Sequence, residues 1–366
     1  MAIQFAPIWG TSLDGFTSHV PWLNKLGVTL DLGVDSVAMM LVLLTTLLTP
    51  LCVLGSFSAI TFRVKEYYAW LLILETAMVG VFAAQDLILF YVSFELTLVP
   101  MFFLIAIYGG KNRAHASIKF FIYTFTGSLF TLAGLLYVAW TYKETHLYDT
   151  WSFAIHDLAK FASTDLSATE QGWILLALLA GFAVKIPVFP VHTWLPLAHT
   201  EAPTAGSVIL AGVLLKLGTF GVYRFVLPMV PEAVVAYAPM IAVLAIIGIL
   251  YAALICWVQD DIKKLVAYSS VSHLGFCVLG LIALNPIGLE GAVLYMINHG
   301  LSTGALFFLI GMMYERYHSR DMNAIGGLAK TMPVWSFFMV FFVLASVGLP
   351  GLNGFVSEFM CLLGTF

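Results

Sequence analysis

The chain has 366 residues, of which 61% are apolar or aromatic and only 10% carry a charge. Soluble domains have about 25% charged residues, so this composition leaves too little charge to cover a soluble fold of this size. The mean hydropathy of +0.97 agrees, and composition therefore predicts an integral membrane protein. The formal charge of −4 provides no basic field and excludes a nucleic-acid-binding protein.

The first 33 residues differ from the rest of the chain. Apolar and polar residues alternate from Gly27 to Leu32, and a period of two predicts a short strand on the membrane surface. We interpret residues 1–33 as an extracytoplasmic N-terminal segment. Residues 34–366 are predicted to form one transmembrane domain.

Long apolar runs predict about ten transmembrane helices, because a helix needs roughly 20 apolar residues to cross the hydrocarbon core. The predicted spans are 34–60, 68–84, 86–108, 116–140, 172–195, 203–227, 233–258, 265–284, 289–313 and 332–366. The runs are continuous rather than alternating, which favours an all-α polytopic protein over a β-barrel. The longest loop, residues 141–171, is acidic and aromatic.

The loop lysines and arginines predict the orientation of the chain, because basic loops stay on the cytoplasmic side. One face carries most of them: Arg63, Lys65, Lys111, Arg113, Lys119, Lys263, Lys264, Arg316, Arg320 and Lys330. The other face carries only Lys25, Lys143, Lys160 and Arg224. The first face is predicted to be cytoplasmic or its equivalent, with the N-terminal segment and the acidic loop on the opposite side.

The charged residues Glu95, Lys185, Lys216 and Glu358 lie inside predicted spans. At 1.5 Å per residue, the first three lie roughly half-way through a 30 Å core. His273 and His299 fall at a similar depth. Each ionised group at a helix centre costs on the order of 2.5–3.5 kcal/mol, so these groups must face the bundle interior, a partner or water.

A layer of acids, lysines and histidines is typical of intramembrane proton relays. Other interpretations remain open for each member. Lys185 could be a helix-end lysine that snorkels to the interface. Glu95 and Lys216 could belong to static buried ion pairs, and His273 and His299 could be ordinary core histidines.

Two predicted helices contain breaks. The first has prolines at 187, 190 and 196, directly after Lys185, and the second has glycines and a proline at 348–354, just before Glu358. Proline removes a backbone hydrogen bond, and broken spans are tolerated only where protein buries them or where they line a cavity. Two such spans beside ionisable residues are typical of transporters built from inverted repeats. Simple proline kinks are the alternative.

Several motifs carry a family resemblance. They are residues 94–101 (FELTLVPM), 183–187 (AVKIP), 192–196 (HTWLP), 201–207 (EAPTAGS), 214–216 (LLK), 261–270 (DIKKLVAYSS) and 314–316 (YER). Over nearly its whole length the chain resembles the Mrp antiporter-like membrane subunits of proton-translocating NADH:quinone oxidoreductase, respiratory complex I. Residues 95–100 and 314–321 look more like the M-type, or chain 4, branch than the L- and N-type branches.

The resemblance implies a fold of fourteen helices with two five-helix inverted repeats, each with a broken helix. It implies that Glu95, Lys185, Lys216, His299 and Glu358 form a proton relay. Against that pattern, two helices are absent before residue 34 and the chain stops within the second broken helix. We therefore expect it to be a fragment with an incomplete second repeat.

The resemblance also implies partners and location. The chain itself is expected to bind no cofactor or metal, with NADH, FMN, iron–sulfur clusters and quinone held by partner subunits. Its expected partners are the L- and N-type antiporter-like chains, in a bacterial inner membrane or an equivalent energy-transducing membrane. The alternatives are an Mrp-type cation/proton antiporter subunit, a membrane anchor that carries no ions, and a haem cytochrome using His192, His273 or His299.

Overall fold

The computed structural model describes residues 17–23, 27–145 and 151–366. Near the N-terminus, β1 (Thr17–Leu23) pairs antiparallel with β2 (Val28–Gly33). This confirms the strand predicted from the alternation at 27–32. The remainder of the predicted N-terminal segment, residues 1–16 and 24–26, lies outside the described residues, as do residues 146–150 of the long loop.

The rest of the described chain is helical. The first eight helices are α1 (Ser36–Leu54), α2 (Val64–Ala83), α3 (Leu87–Leu96), α4 (Leu98–Tyr108), α5 (Arg113–Thr145), α6 (Ile155–Asp165), α7 (Ala168–Lys185) and α8 (Trp194–Glu201). They are followed by α9 (Thr204–Met229), α10 (Pro231–Trp257), α11 (Ile262–Ile282), α12 (Pro286–Tyr317), α13 (Leu328–Thr331), α14 (Pro333–Ser346) and α15 (Asn353–Thr365).

Eight helices in the described ranges are long and apolar enough to cross a membrane, with α3 and α4 counted as one span, Leu87–Tyr108. They match eight of the ten predicted spans. The other two predicted spans, 172–195 and 332–366, are the ones predicted to contain breaks, and the chain leaves the helix at each break. The first corresponds to α7 and the break after it, with α8 starting at its end, and the second becomes α14 and α15.

The first break separates α7 from α8. Here Lys185 is the last residue of α7, and the chain turns through residues 186–193 before α8 begins at Trp194. The indole Nε1 of Trp194 donates a hydrogen bond to the carbonyl of Val184 over 2.9 Å. This bond satisfies a carbonyl that the interrupted helix would otherwise leave unpaired inside the bilayer.

The second break, residues 347–352, separates α14 from α15. Gly348 has φ +72° and Gly351 has φ +98°, a left-handed conformation that glycine adopts without steric cost. Gly348 also lies directly against Glu358, because a Cβ at this position would meet Glu358 Oε2 at 2.4 Å. The glycine therefore both bends the chain and leaves room for the carboxylate.

Helix α9 is the central element of the bundle and is almost completely buried. It contains two π-helical stretches, Leu210–Leu214 and Val222–Val226, on either side of Lys216. Stretches of π-helix shift the backbone hydrogen-bond register and occur often at functional sites. By contrast, α10 is mostly exposed and presents its apolar side chains to the surroundings.

The acidic loop contains a helix that the sequence analysis did not predict. In α6, the residues Ile155, Leu158, Ala159, Phe161 and Ala162 are buried along one face. Their helical spacing could have identified α6. Helix α5 also continues to Thr145, beyond the predicted end at residue 140.

On the side of the hairpin, polar contacts fix the ends of several helices. The buried Asp86 caps α3 through the amides of Ile88 and Leu89 and also accepts a hydrogen bond from the Thr29 amide of β2. Arg224, in the second π-helical stretch, forms an ion pair of 2.9 Å with Asp35. These contacts join the hairpin to α3, and α9 to the N-cap of α1.

Candidate functional site

Lys216 and His299 meet in the centre of the bundle. The Nζ of Lys216 lies 2.6 Å from Nδ1 of His299 and donates a hydrogen bond to the carbonyl of Ala211 at 2.5 Å. Ala211 belongs to the first π-helical stretch, five residues before the lysine. Both side chains are at most 2% exposed, so Lys216 makes these contacts without solvent.

Two glycines allow α9 and α12 to approach closely enough for this contact. A Cβ on Gly300 would lie 2.9 Å from the carbonyl oxygen of Gly212, closer than such contacts ordinarily allow. Gly300 directly follows His299, and Gly212 directly follows Ala211. The close backbone contact therefore lies beside the Lys216–His299 pair and determines how near its two helices come.

His273, Tyr295 and Glu358 form a second polar cluster between α11, α12 and α15. The hydroxyl of Tyr295 lies 2.6 Å from Nδ1 of His273 and donates a short hydrogen bond to Glu358 Oε1. The same Glu358 oxygen lies 3.4 Å from Nδ1 of His273. One tyrosine hydroxyl thus contacts both the imidazole and the carboxylate.

The two clusters adjoin through their histidines. The rings of His273 and His299 have centroids 5.8 Å apart and are inclined by 61°. The Nε2 of His299 is buried and has no hydrogen-bond partner among the described residues. Lys216, His299, His273, Tyr295 and Glu358 therefore form one row across α9, α11, α12 and α15, in which Lys216, His299 and Tyr295 are buried and His273 and Glu358 are half-buried.

Lys185 is buried inside the protein, with 2% exposure, and its side chain does not extend to the surface. Its Nζ donates a hydrogen bond to Thr97 Oγ1 over 3.3 Å and lies 4.9 Å from the centre of the Phe94 ring. Thr97 is the residue between α3 and α4, three positions before Pro100. The irregular point of this span thus provides the hydrogen-bond acceptor for Lys185.

Glu95 lies close to Lys185 without forming an ion pair with it. No carboxylate–ammonium contact within 4.0 Å joins the two residues, although each lies in the electrostatic field of the other. The Oε1 of Glu95 is buried and has no hydrogen-bond partner in the described part of the chain. The carboxylate of Glu95 lies near Ser128 and Tyr91. Glu95 and Lys185 are therefore close to each other but not in direct contact.

Helix α9 also approaches the first break closely. A Cβ on Gly218 would lie 2.9 Å from the amide nitrogen of Ile186 and 3.0 Å from the carbonyl of Phe182. Gly218 is two residues after Lys216, and Ile186 directly follows Lys185. The backbone segments that carry the two lysines are therefore in contact, although the side chains bond to different partners.

A cavity of about 1000 Å³ opens on the face that carries most of the loop lysines and arginines. Its wall includes Lys111, Glu201, Lys263 and Arg320. Lys263, predicted to lie in a cytoplasmic loop, is in the first turn of α11. It is 7% exposed, and its Nζ donates a 2.5 Å hydrogen bond to the carbonyl of Ala202.

Three titratable groups of the membrane region were not identified from the sequence. Tyr295 lies four residues before His299, on the same face of α12, and that helical spacing could have identified it. His199 is fully buried, stacks on Phe307 with a centroid distance of 4.6 Å, and has no hydrogen-bond partner for either ring nitrogen in the described residues. Glu75 lies mid-way along α2.

A helical membrane domain with two broken helices and a largely buried row of lysine, histidine, tyrosine and glutamate side chains is typical of ion-translocating membrane proteins. A family model described as NADH:quinone oxidoreductase/Mrp antiporter, transmembrane, matches residues 84–366. The chain belongs to this family.

Relatives of known name are similar over most of the chain. The NADH-quinone oxidoreductase subunit M of Rhodobacter capsulatus is 44% identical over 353 residues, which cover 96% of this chain and 68% of that protein. The subunit M of Rickettsia conorii is 42% identical over 352 residues, which cover 96% of this chain and 69% of that protein.

Two solved structures are also similar. A chain of respiratory complex I from Thermus thermophilus superposes with a TM-score of 0.85 and 33% identity, over 95% of this chain and 72% of that one. A chain of the Mrp complex from Dietzia shares the fold, with a TM-score of 0.83 at 23% identity over 99% of this chain and 66% of that one.

Proposed function

We propose that this chain is a membrane-arm subunit of a proton-pumping NADH:quinone oxidoreductase and moves protons through a relay at the middle of the bilayer. The observation that carries the proposal is the 2.6 Å contact between Lys216 Nζ and His299 Nδ1 in a fully buried site. A lysine and a neutral imidazole at this distance can exchange one proton. Intramembrane ionisable groups that pair with one another mark such relays.

The relay would begin at Glu95 and Lys185. An ion pair at about 4 Å is worth about 4 kcal/mol at an effective dielectric constant of 20. Movement of Glu95 towards Lys185 would favour the ammonium form of the lysine, and movement away would favour release of its proton. In the structure Lys185 is held by the hydrogen bond to Thr97 at 3.3 Å, a position that needs no contact with Glu95.

The relay would continue at Lys216. The ammonium group gives a proton to Nδ1 of His299, which becomes an imidazolium while the lysine becomes neutral. From His299 the proton passes through the region of His273 towards Glu358, which we assign to the exit side. Conformational or charge changes in neighbouring subunits would drive the cycle.

In this proposal residues 34–366 are the proton-translocating domain, and residues 1–33 are an extracytoplasmic segment. The neighbours would be the L- and N-type antiporter-like chains. Partner subunits would hold NADH, FMN, the iron–sulfur clusters and quinone, so that redox chemistry takes place outside this chain. The family to which the chain belongs includes subunits of respiratory complex I, and this supports the proposed place of the chain among partner subunits.

An Mrp-type cation/proton antiporter subunit is the second candidate. The shared fold with the Mrp complex, at a TM-score of 0.83, favours it. The candidates differ in what drives proton movement. An antiporter moves protons against sodium or potassium without electron transfer, whereas a complex I subunit requires NADH oxidation.

The test uses the assembled protein complex in sealed vesicles, with a pH-sensitive dye inside. If the chain serves a complex I, NADH and quinone produce a pH change that a quinone-site inhibitor abolishes, and sodium-free buffer does not alter it. A pH change produced by a sodium gradient alone, without NADH, would favour the antiporter and contradict the proposal.

A further inference from the structure

Tyr295 is the group that connects His273 to Glu358. Its hydroxyl oxygen lies 2.6 Å from Nδ1 of His273, and its hydroxyl proton is directed to Glu358 Oε1. The phenol is therefore used as an acceptor on one side and as a donor on the other. A tyrosine hydroxyl has the donor and the acceptor capacity for this double role.

We propose that Tyr295 is a proton-relay residue that receives a proton from His273 and passes its own proton to Glu358. In this step the Nδ1–H bond of the His273 imidazolium breaks and a new phenol O–H bond forms. At the same time the original phenol O–H bond breaks, and an O–H bond forms on Glu358. Tyr295 is neutral before and after, His273 becomes neutral, and the carboxylate becomes a carboxylic acid. The inference rests on the proposed relay function.

The direct route from His273 to Glu358 is less favourable. Their atoms are 3.4 Å apart, beyond the usual range for a good hydrogen bond, whereas the phenol lies 2.6 Å from the imidazole. The imidazole therefore has its close partner in the tyrosine hydroxyl. Tyr295 is only 2% exposed, so this link requires no water molecule.

The surrounding contacts hold the phenol in position. Asn298, on the next turn of α12, donates hydrogen bonds to the carbonyl of Asn353 at 2.6 Å and to Ser357 Oγ at 3.1 Å. These bonds fix α12 to the helix that carries Glu358. The rings of His273 and Phe276 pack edge-on against Tyr295 with centroid distances of 6.1 and 6.2 Å. The hydroxyl is thus kept between its two partners.

The first test replaces Tyr295 with phenylalanine, which keeps the ring and removes the hydroxyl, in the assembled complex in vesicles. We expect NADH-driven proton translocation to fall at least about tenfold, because loss of a positioned proton-transfer group typically has effects of this size or larger. The control is Tyr317→Phe, near the end of the same helix, where the hydroxyl lies 3.3 Å from Thr331 and far from the row. It should translocate protons at the wild-type rate.

The variant Glu358→Gln distinguishes a failure of the whole proposed relay from a failure of the role assigned to Tyr295. If Glu358→Gln translocates protons normally, the proposed relay through Glu358 is wrong. If Glu358→Gln is impaired and Tyr295→Phe is normal, only the role of Tyr295 is wrong.

A second variant tests whether Tyr295 transfers a proton itself or only holds Glu358 in position. Incorporation of a fluorinated tyrosine at position 295 preserves the ring and both hydrogen bonds but makes the phenol more acidic. A relay residue should then change the translocation rate at least about threefold, because proton-transfer rates follow the acidity of the transferring group. An unchanged rate, with Tyr295→Phe impaired, would show that Tyr295 only positions Glu358 and would overturn the inference.

Discussion

The side-chain nitrogens of Lys216 and His299 lie 2.6 Å apart in the centre of the bundle, although the residues are 83 positions apart in the chain. Two features of the backbone allow this contact. The π-helical stretch places the carbonyl of Ala211 against Lys216, and the pair Gly212 and Gly300 lets the two helices approach.

Replacement of Lys216 by methionine keeps most of the side-chain volume and removes the amine. In the proposed relay, we expect proton translocation to fall about a hundredfold while the complex still assembles, because a positioned proton-transfer group is lost. NADH-driven pH changes in vesicles measure proton translocation, and native gel electrophoresis measures assembly of the complex. The control is Lys264→Met in the first turn of α11. A membrane anchor that carries no ions predicts a change in stability alone for Lys216→Met.

Replacement of Gly300 by alanine tests the helix approach. The added Cβ would lie 2.7 Å from Leu44 and 2.9 Å from the Gly212 carbonyl, so α9 and α12 must move apart. Overpacking of this kind costs about 1–3 kcal/mol, and we expect both a lower unfolding temperature and slower proton translocation.

Gly304 provides a matched control on the same helix. A Cβ at this position would meet its nearest neighbours at 3.6 Å, an ordinary van der Waals distance. Gly304→Ala should therefore behave as wild type in both measurements. Equal effects of the two alanine substitutions would show that the close contact at Gly300 has no special role.

Replacement of Thr97 by valine removes the hydrogen-bond acceptor of Lys185 without a large change in shape. A buried polar group left without its partner costs about 1–3 kcal/mol. We expect slower proton translocation from Thr97→Val and recovery by Thr97→Ser, which retains the hydroxyl. The proton-translocation rates of both variants are measured in the same vesicles. A serine variant as slow as the valine variant would show that the effect comes from altered packing and not from the lost hydrogen bond.

The sequence predicted the membrane fold well, because long apolar runs and breaks at proline and glycine are local signals. The runs around α10 and α11 match the observed helices to within a few residues, and the division of the last span into α14 and α15 follows from the glycines and proline at 348–354. Helix α6 was overlooked because its apolar residues are spaced along one face rather than continuous.

The contacts within the site were harder to predict, because they depend on how distant helices pack. Depth along each helix places Lys216 and His299 in one layer, but only the close approach at Gly212 and Gly300 determines that they touch. Depth also places Glu95 and Lys185 in one layer, but it does not predict that the ammonium group of Lys185 bonds to Thr97. Tyr295 was not predicted as a site residue, because tyrosine is uncharged and is common in apolar helices.

In the proposed relay, Glu95 and Lys185 together control proton movement through the chain. The most direct measurement is NADH-driven proton translocation by the assembled complex with Glu95→Gln, which keeps the shape of the side chain and removes its charge. The exposed Glu290→Gln at the start of α12 is the control. We predict that Glu95→Gln assembles normally and loses coupled proton translocation, whereas Glu290→Gln retains it. Full proton translocation by assembled Glu95→Gln would contradict the account.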